Sequence, residues 1–324
     1  MLLVHVTVAY NSPGELETLL KKLEFQDEEI HHIICIDNSS ADYQKMNEAV
    51  CYKYDSHPGF QIEYFPLSKN FGSATGFAVG MQLARDVGAD YVWLHDQDGF
   101  PYPTCLQIVK GYFNADNFII SPQIRDENDT YLYSFHGTYD QHFNFYPIEL
   151  NKKCLSADVA GTAGLIIKAD LIDRIGVYDY VNFFIGFEDF DYCLRAGRAG
   201  FKVCVIREAL YHHPNKWGKH SKYNIKNPPR SFEIIKPHDM KVYKARQFIN
   251  YYIIHYRHKF MLVFLYSLIR ALIKKTLLRP ISLIPTLRQY FIALAARHRS
   301  GKIVKIKIDD YLNTPASNSR IMRF

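Results

Sequence analysis

Apolar and polar positions along the first 215 residues fall into blocks whose period switches back and forth. LLVHVTVA (2–9), HHIICID (31–37), IEYFPL (62–67) and DYVWLHD (90–96) are short, dense apolar runs and predict buried strands. PGELETLLKKL (13–23) instead carries its apolar residues at helical spacing, with Pro13 in the first turn. Asn38, Ser39 and Ser40 read as a turn or cap before another helical stretch, and Gly72 to Val87 predicts a further helix. Strand alternating with helix in this way predicts an α/β fold, a mainly parallel sheet flanked by helices. Residues 123–155, rich in Tyr, Asp and Asn, read as a hairpin or surface insertion, and 158–172 as a strand or turn leading into a helix. A short helix over 188–199 and strands over 201–206 and 209–213 follow, and helix dominates from about residue 240.

Open sheets of this kind bind ligands outside the carboxyl ends of their strands. Four polar clusters fall there: Asn11 and Ser12, Asp37, Ser68 to Gly72, and Asp96 to Asp98. Four clusters at equivalent strand ends are hard to ascribe to four independent loops.

Charge changes the picture at the other end of the chain. The net charge of +6 hides a division: residues 241–308 hold 15 Lys or Arg and no Asp or Glu, whereas 1–240 hold 22 basic and 31 acidic residues. FMLVFLYSLI (260–269) stops at Arg270, and no uncharged run reaches the roughly 18 residues that a bilayer span needs. Ser267, Arg270 and Lys274 recur at helical spacing, which reads as an interfacial amphipathic helix on an anionic membrane surface. Packing on the body, or on a second subunit in a homo-oligomer, is the competing use. The tail's excess of Leu, Ile and Phe over Gly, Ser and Asn argues against nucleic acid. Six cysteines without a CxxC pair exclude a thiolate metal site and predict free thiols in a reducing cytoplasm. The first residues, MLLVHVTVAYNS, lack the basic start and long apolar stretch of a signal peptide. The 24 Tyr and 22 Phe suit carbohydrate-binding walls, but they fill ordinary cores equally well.

The candidate chemistry sits at the strand ends. Asp96 and Asp98 follow the apolar YVWL, and two carboxylates one residue apart can hold a hard divalent cation. The spacing itself is common, recurring here as Asp189-Phe190-Asp191, so position is what singles the pair out. SKNFGSATGFAVG (68–80) is a small-residue loop opening a helix whose free amides suit an anion; a tightly packed helix start is the plain alternative. Glu188, Asp189 and Asp191 begin a helix, where the macrodipole favours acids in any case, but the apolar run before them suits a general base. Of His212 and His213, strand alternation lets only one face the cleft. His31, His32, His255 and His258 read as structural.

Taken together, VTVAYNS (6–12), IDNSS (36–40), KNFGSATGF (69–77), WLHDQDGFP (93–101), AGTAGLIIK (160–168), FFIGFEDFDYCLRA (183–196) and ALYHH (209–213) resemble the family-2 glycosyltransferases of GT-A fold, close to the bacterial rhamnosyltransferase and galactofuranosyltransferase branches. The resemblance covers residues 1 to about 215, and RQFINYYIIHYRHKF (246–260) is similar to the helix that follows the catalytic domain in that branch. It implies a catalytic domain over 1–240, with a nucleotide half (1–100) and an acceptor half (101–240), and a separate helical, basic region over 241–324. Ala9 and Tyr10 would line the base pocket, Asn11 would shape the turn, and Asp37 would accept a hydrogen bond from a pyrimidine. Asn70, Gly72 and Gly76 would lie near the diphosphate and ribose, with Asp96 near the ribose or the metal. Asp98 and His212 would bind Mg2+ or Mn2+. Thr162, Ala163, Glu188 and Asp191 would border the acceptor and donor sugar, and Asp189 would be the base.

The implied reaction is an inverting transfer from a dTDP- or UDP-sugar to a glycan or lipid-linked acceptor, at the cytoplasmic face of the membrane. A sugar nucleotidyltransferase would carry a Gly-rich, Arg-containing loop after strand one, where this chain has AYNSPGEL. An inactive nucleotide- or carbohydrate-binding module is the other alternative.

Overall fold

The computed structural model describes residues 1–26, 31–114, 116, 118–132, 135–139, 145–149, 151–181, 183–214 and 306–312. The expected helical and basic region over 241–324 therefore lies outside the described residues, except for 306–312.

Residues 1–100 follow the predicted alternation: β1 (Leu3–Ala9), α1 (Pro13–Leu23), β2 (His31–Asp37), α2 (Ala41–Asp55), β3 (Phe60–Pro66), α3 (Ser73–Asp86) and β4 (Tyr91–Asp96). After β4 come β5 (Phe100–Pro101), α4 (Cys105–Lys110), β6 (Ile119–Arg125), β7 (His136–Tyr139), β8 (Phe145–Pro147), β9 (Cys154–Ala157), β10 (Val159–Ala160), β11 (Ile166–Lys168), α5 (Ala169–Ile175), α6 (Glu188–Arg198) and β12 (Val203–His212). The main sheet runs β3-β2-β1-β4-β11-β6-β12-β5, with β9 also paired to β12; β10, β7 and β8 form a second, small sheet. β1 to β4 are mutually parallel, as are β6 and β12. β11 lies antiparallel between β4 and β6 and joins the two parallel halves.

Both β1 and β2 are buried along their whole length, which explains their unbroken apolar runs. α3 packs closely on this layer. A Cβ on Gly76 would meet Val8 at 2.7 Å, so Gly76 serves helix–strand packing rather than a ligand cradle as expected.

Two expectations are corrected. The strands expected at 201–206 and 209–213 are one strand, β12, whose register shifts between Ile206 and Leu210. The thiols are not all free: Cys154 and Cys204 form a disulfide, because β9 pairs with β12 and brings their Cα atoms to 6.0 Å. Cys35, Cys51, Cys105 and Cys193 are free and buried. Among the described residues, no helix is long and apolar enough to cross a membrane.

Candidate active site

The loops after β1, β2 and β3 are tied to one another by short polar side chains. Asn11, in the left-handed region at φ 49, donates its backbone N–H to Ser39 Oγ (2.8 Å) and accepts from Ser40 N–H through Oδ1 (3.1 Å). Asn38 reaches the other way, accepting from Phe71 N–H (3.0 Å) and donating to the Gly72 carbonyl (2.9 Å). Asn70 Oδ1 accepts from Gly72 N–H at 2.8 Å. Gly72 has φ 91, and a Cβ there would run into the Phe184 carbonyl, so only glycine fits. The loop entering α3 is thus fixed before any ligand arrives, with Ser68, Lys69 and Asn70 exposed.

Two expected base-pocket residues are differently employed. Ala9 is fully buried beneath α1. Asp37 is fully buried as well: Oδ1 accepts from Ser39 N–H (2.7 Å), and Oδ2 accepts from Asn47 (2.8 Å) and the Tyr64 hydroxyl (2.7 Å). With three donors already seated, Asp37 organises the loop instead of presenting an edge to a pyrimidine. Tyr10, by contrast, is exposed, and its backbone is clasped by Gln97, which accepts from Tyr10 N–H (2.5 Å) and donates to its carbonyl (3.1 Å). The middle residue of the Asp-Gln-Asp triplet therefore holds the loop after β1 against the end of β4.

Asp96 and Asp98 stand at that end, partly exposed, and His213 faces both: Nε2 lies 3.5 Å from Asp96 Oδ2 and 3.5 Å from Asp98 Oδ1. Burial disfavours the His213 imidazolium, but the bond to Asp96 and the charges of both aspartates outweigh it and raise its pKa. His212, the expected ligand, points the other way and stacks on Phe100 with ring centres 4.5 Å apart. β12 pairs His212 with Phe100 in β5, and strand alternation then turns its neighbour into the cleft. Two carboxylates and one imidazole make a donor set suited to Mg2+ or Mn2+. Among the described residues no trio of His, Cys, Asp or Glu already stands at coordinating geometry; His213 and the two aspartates would have to close by a small adjustment.

The acidic helix start lies across the cleft. Gly186 (φ 78) and Phe187 (φ 72) both adopt left-handed conformations, a sharp turn that delivers Glu188 and Asp189 as the first residues of α6. Asp189 accepts from Thr162 N–H (3.0 Å) and from Phe190 N–H (2.7 Å). Glu188 is buried and accepts from the Ser73 hydroxyl at 2.5 Å. Burial foremost pushes both carboxyls above their ordinary range. Asp189's charge further raises Glu188, amide bonds partly offset the rise at Asp189, and Asp96 raises both. Asp191, expected near the sugar, is buried on another face of α6 and paired with Arg195 at 2.7 Å; burial still raises it to about 6 against that pairing. Ala163, also expected there, is fully buried against Ile124, Leu132 and Tyr211. Thr162 remains at the site through its contact with Asp189.

Sequence reasoning chose His212 over His213, gave Gln97 no role and read Asn38 only as a turn residue, and it missed a buried chain of rings below the aspartates. His31 Nδ1 lies 3.3 Å from His5 Nε2, His5 Nδ1 lies 3.0 Å from His95 Nε2, and His95 Nδ1 lies 3.2 Å from the Tyr211 hydroxyl. Tyr211 in turn lies under Gly99, where a Cβ would meet its ring at 2.7 Å. The available signal was a histidine inside each of two otherwise apolar strands, β1 and β4. His31 and His32 are structural as expected, buried with partners, His32 bonding Glu63 at 2.6 Å.

The profile of the family described as Glycosyl transferase family 2 matches residues 5–176. The galactofuranosyltransferase GlfT1 of Mycobacterium tuberculosis (strain ATCC 25618 / H37Rv) is 28% identical over 218 residues, covering 64% of this chain and 69% of its own. The amylovoran biosynthesis glycosyltransferase AmsB of Erwinia amylovora is 26% identical over 256 residues, covering 74% of this chain and 81% of its own. Among solved structures, S. aureus TarS 1-349 matches with a TM-score of 0.55 at 13% identity, over 93% of this chain and 83% of that one. GalNAc-T7 with UDP, GalNAc and Mn2+ matches with a TM-score of 0.54 at 14% identity, over 76% of this chain and 48% of that one. At these identities the two structures share the GT-A fold with this chain.

Proposed function

Because the chain belongs to glycosyl transferase family 2 and is a glycosyltransferase, we propose that it transfers a sugar, with inversion, from a nucleotide-diphosphate donor to a glycan or lipid-linked acceptor in cell-surface polysaccharide synthesis. The observation that carries this reading is the convergence of Asp96, Asp98 and His213 from two strand ends, near enough to Asp189 and Glu188 at the start of α6 for Asp96's charge to act on both. The curated relatives named above act in galactofuranosyl transfer and amylovoran synthesis. They favour galactofuranose or a related hexose carried on UDP or dTDP.

In this reading the amides at the start of α3, with Lys69 and Asn70, take the diphosphate. Tyr10 lines the nucleotide. Asp96, Asp98 and His213 would hold Mg2+ or Mn2+, and the metal would supply positive charge against the negative charge of the leaving diphosphate. Asp189, held in place by Thr162 and Phe190, removes the proton of the acceptor hydroxyl. That oxygen bonds to the anomeric carbon from the face opposite the diphosphate, and the carbon–oxygen bond to the diphosphate breaks with its electron pair. The basic region over 241–308 brings the enzyme to an anionic membrane surface on the cytoplasmic side, where a lipid-linked acceptor is presented. The test is a screen of nucleotide-sugars for release of nucleoside diphosphate by the purified chain, with and without divalent metal. Release that persists undiminished in excess chelator, or no release from any nucleotide-sugar in the presence of membrane glycolipid, sinks the reading.

A further inference from the structure

Residues 306–312 return to the donor side of the sheet. Ile306 is buried at 5% exposure, Ile308 packs against the main core, and a 3-10 turn spans Ile308–Asp310. Leu312 then forms an antiparallel bridge with Leu67, directly after β3. Ser68 donates its N–H to the Tyr311 carbonyl at 2.8 Å. The Tyr311 ring meets Phe71 edge to face, with centres 4.8 Å apart, and reaches Tyr180 at 6.0 Å.

Phe71 lies in the loop that opens α3. Its N–H is held by Asn38, and the Lys69 ammonium lies 5.0 Å from its ring centre. The three residues before it are exposed, so the loop has little core burial to keep it in place. Its anchors come from outside: Asn38 from the β2 side, the Phe184 backbone against Gly72, and Tyr311 from a segment far away in sequence. We infer that Tyr311 is a positioning residue for the nucleotide-diphosphate donor, acting through Phe71 and Ser68 to hold residues 68–72 in their binding conformation. This rests on the reading of that loop as the diphosphate cradle.

The consequence is kinetic in a specific way. A loop ordered in advance costs the donor nothing to order, so loss of the ring lowers the fraction of binding-competent enzyme and raises the apparent donor dissociation constant. Once donor is bound the loop is in place, and turnover changes little. Through Tyr180, the same ring also touches the segment that leads to Glu188 and Asp189.

The experiment compares the full chain with its Tyr311→Ala and Tyr311→Phe variants, which keep the backbone bond to Ser68. The first readout needs no ligand: amide hydrogen exchange over residues 68–72, with β1 and β2 as internal controls. In Tyr311→Ala the loop amides exchange roughly tenfold faster while the controls do not move, and Tyr311→Phe behaves as wild type. The second is calorimetric binding of UDP with Mn2+, where Tyr311→Ala weakens affinity roughly tenfold and Tyr311→Phe restores it. Unchanged loop exchange in Tyr311→Ala overturns the inference, and so does acceleration throughout β1 and β2, which would make Tyr311 a general stabiliser. Faster loop exchange with unaltered UDP affinity overturns the donor role. A wild-type chain that binds no nucleotide overturns the proposed function instead, a result the exchange data keep separate.

Discussion

The hydroxyl of Ser73, the first residue of α3, donates to Glu188, the first residue of α6, at 2.5 Å. One hydrogen bond thus joins the helix that would carry the donor diphosphate to the helix that carries the candidate base. Ser73→Ala leaves a buried carboxyl oxygen without its donor, a loss worth about 1–3 kcal/mol. Thermal unfolding should register that destabilisation, and kcat should fall with it. A variant whose melting temperature and kcat both match wild type would show that the bond joins nothing of consequence.

Asp189→Asn keeps the shape of the side chain and removes its proton-accepting ability. Turnover should fall by roughly 10²–10⁴-fold while UDP binding persists. In the wild type, burial raises the Asp189 pKa. A base works deprotonated, so kcat/KM should decline on the acid side at a pH above the usual carboxylate value of about 4. Asp191→Asn, which breaks the pair with Arg195, should lower stability first. The reverse pattern, an inert Asp191 variant beside an active Asp189 variant, would move the base to Asp191.

His213→Ala should raise the Mn2+ concentration needed for half-maximal activity by at least about tenfold, the scale of losing a group that supports a metal site. His212→Ala, whose ring stacks on Phe100 away from the aspartates, should leave that concentration near wild type. A metal titration on the two variants distinguishes the neighbours directly.

The buried histidines make the fold sensitive to acid. Burial lowers His95 to about 3, and burial with the neighbouring histidines lowers His5. Unfolded, both titrate near 6.5. A depressed folded pKa means the stability is intact above about pH 6.5 and is lost as pH falls from there toward 3. Each extra proton taken up on unfolding steepens the loss by about 1.4 kcal/mol per pH unit. Urea unfolding between pH 7 and 4 should show this slope, and His95→Gln should reduce it by about one proton at a cost in stability at pH 7.

The parallel half of the sheet was legible because strands buried on both faces need unbroken apolar runs, and β1, β2 and β4 have them. The join between the halves was not. β11 is three residues long, and β6 contains Pro122, which argues against a paired interior strand. At the site, Asp98 and Asp189 could be found from strand-end and helix-start positions. The choice between His212 and His213 could not, because the register shift between Ile206 and Leu210 breaks any count of alternation along β12. Nor could the Cys154–Cys204 disulfide, which depends on the pairing of β9 with β12. Asp37 looked like a ligand group because a buried carboxylate and a binding carboxylate occupy the same strand end. Only the three donors around it distinguish them.

The strand order also sets a sequence of events in time. β1 to β4 pair among themselves within residues 3–96, whereas β6 finds its parallel partner only in β12, Val203 meeting Ile119. Residues 3–96 can therefore assemble as the chain emerges from the ribosome, while Asp189 and His213 arrive only with later elements. Catalysis would begin only when β12 closes the sheet and brings His213 to the two aspartates.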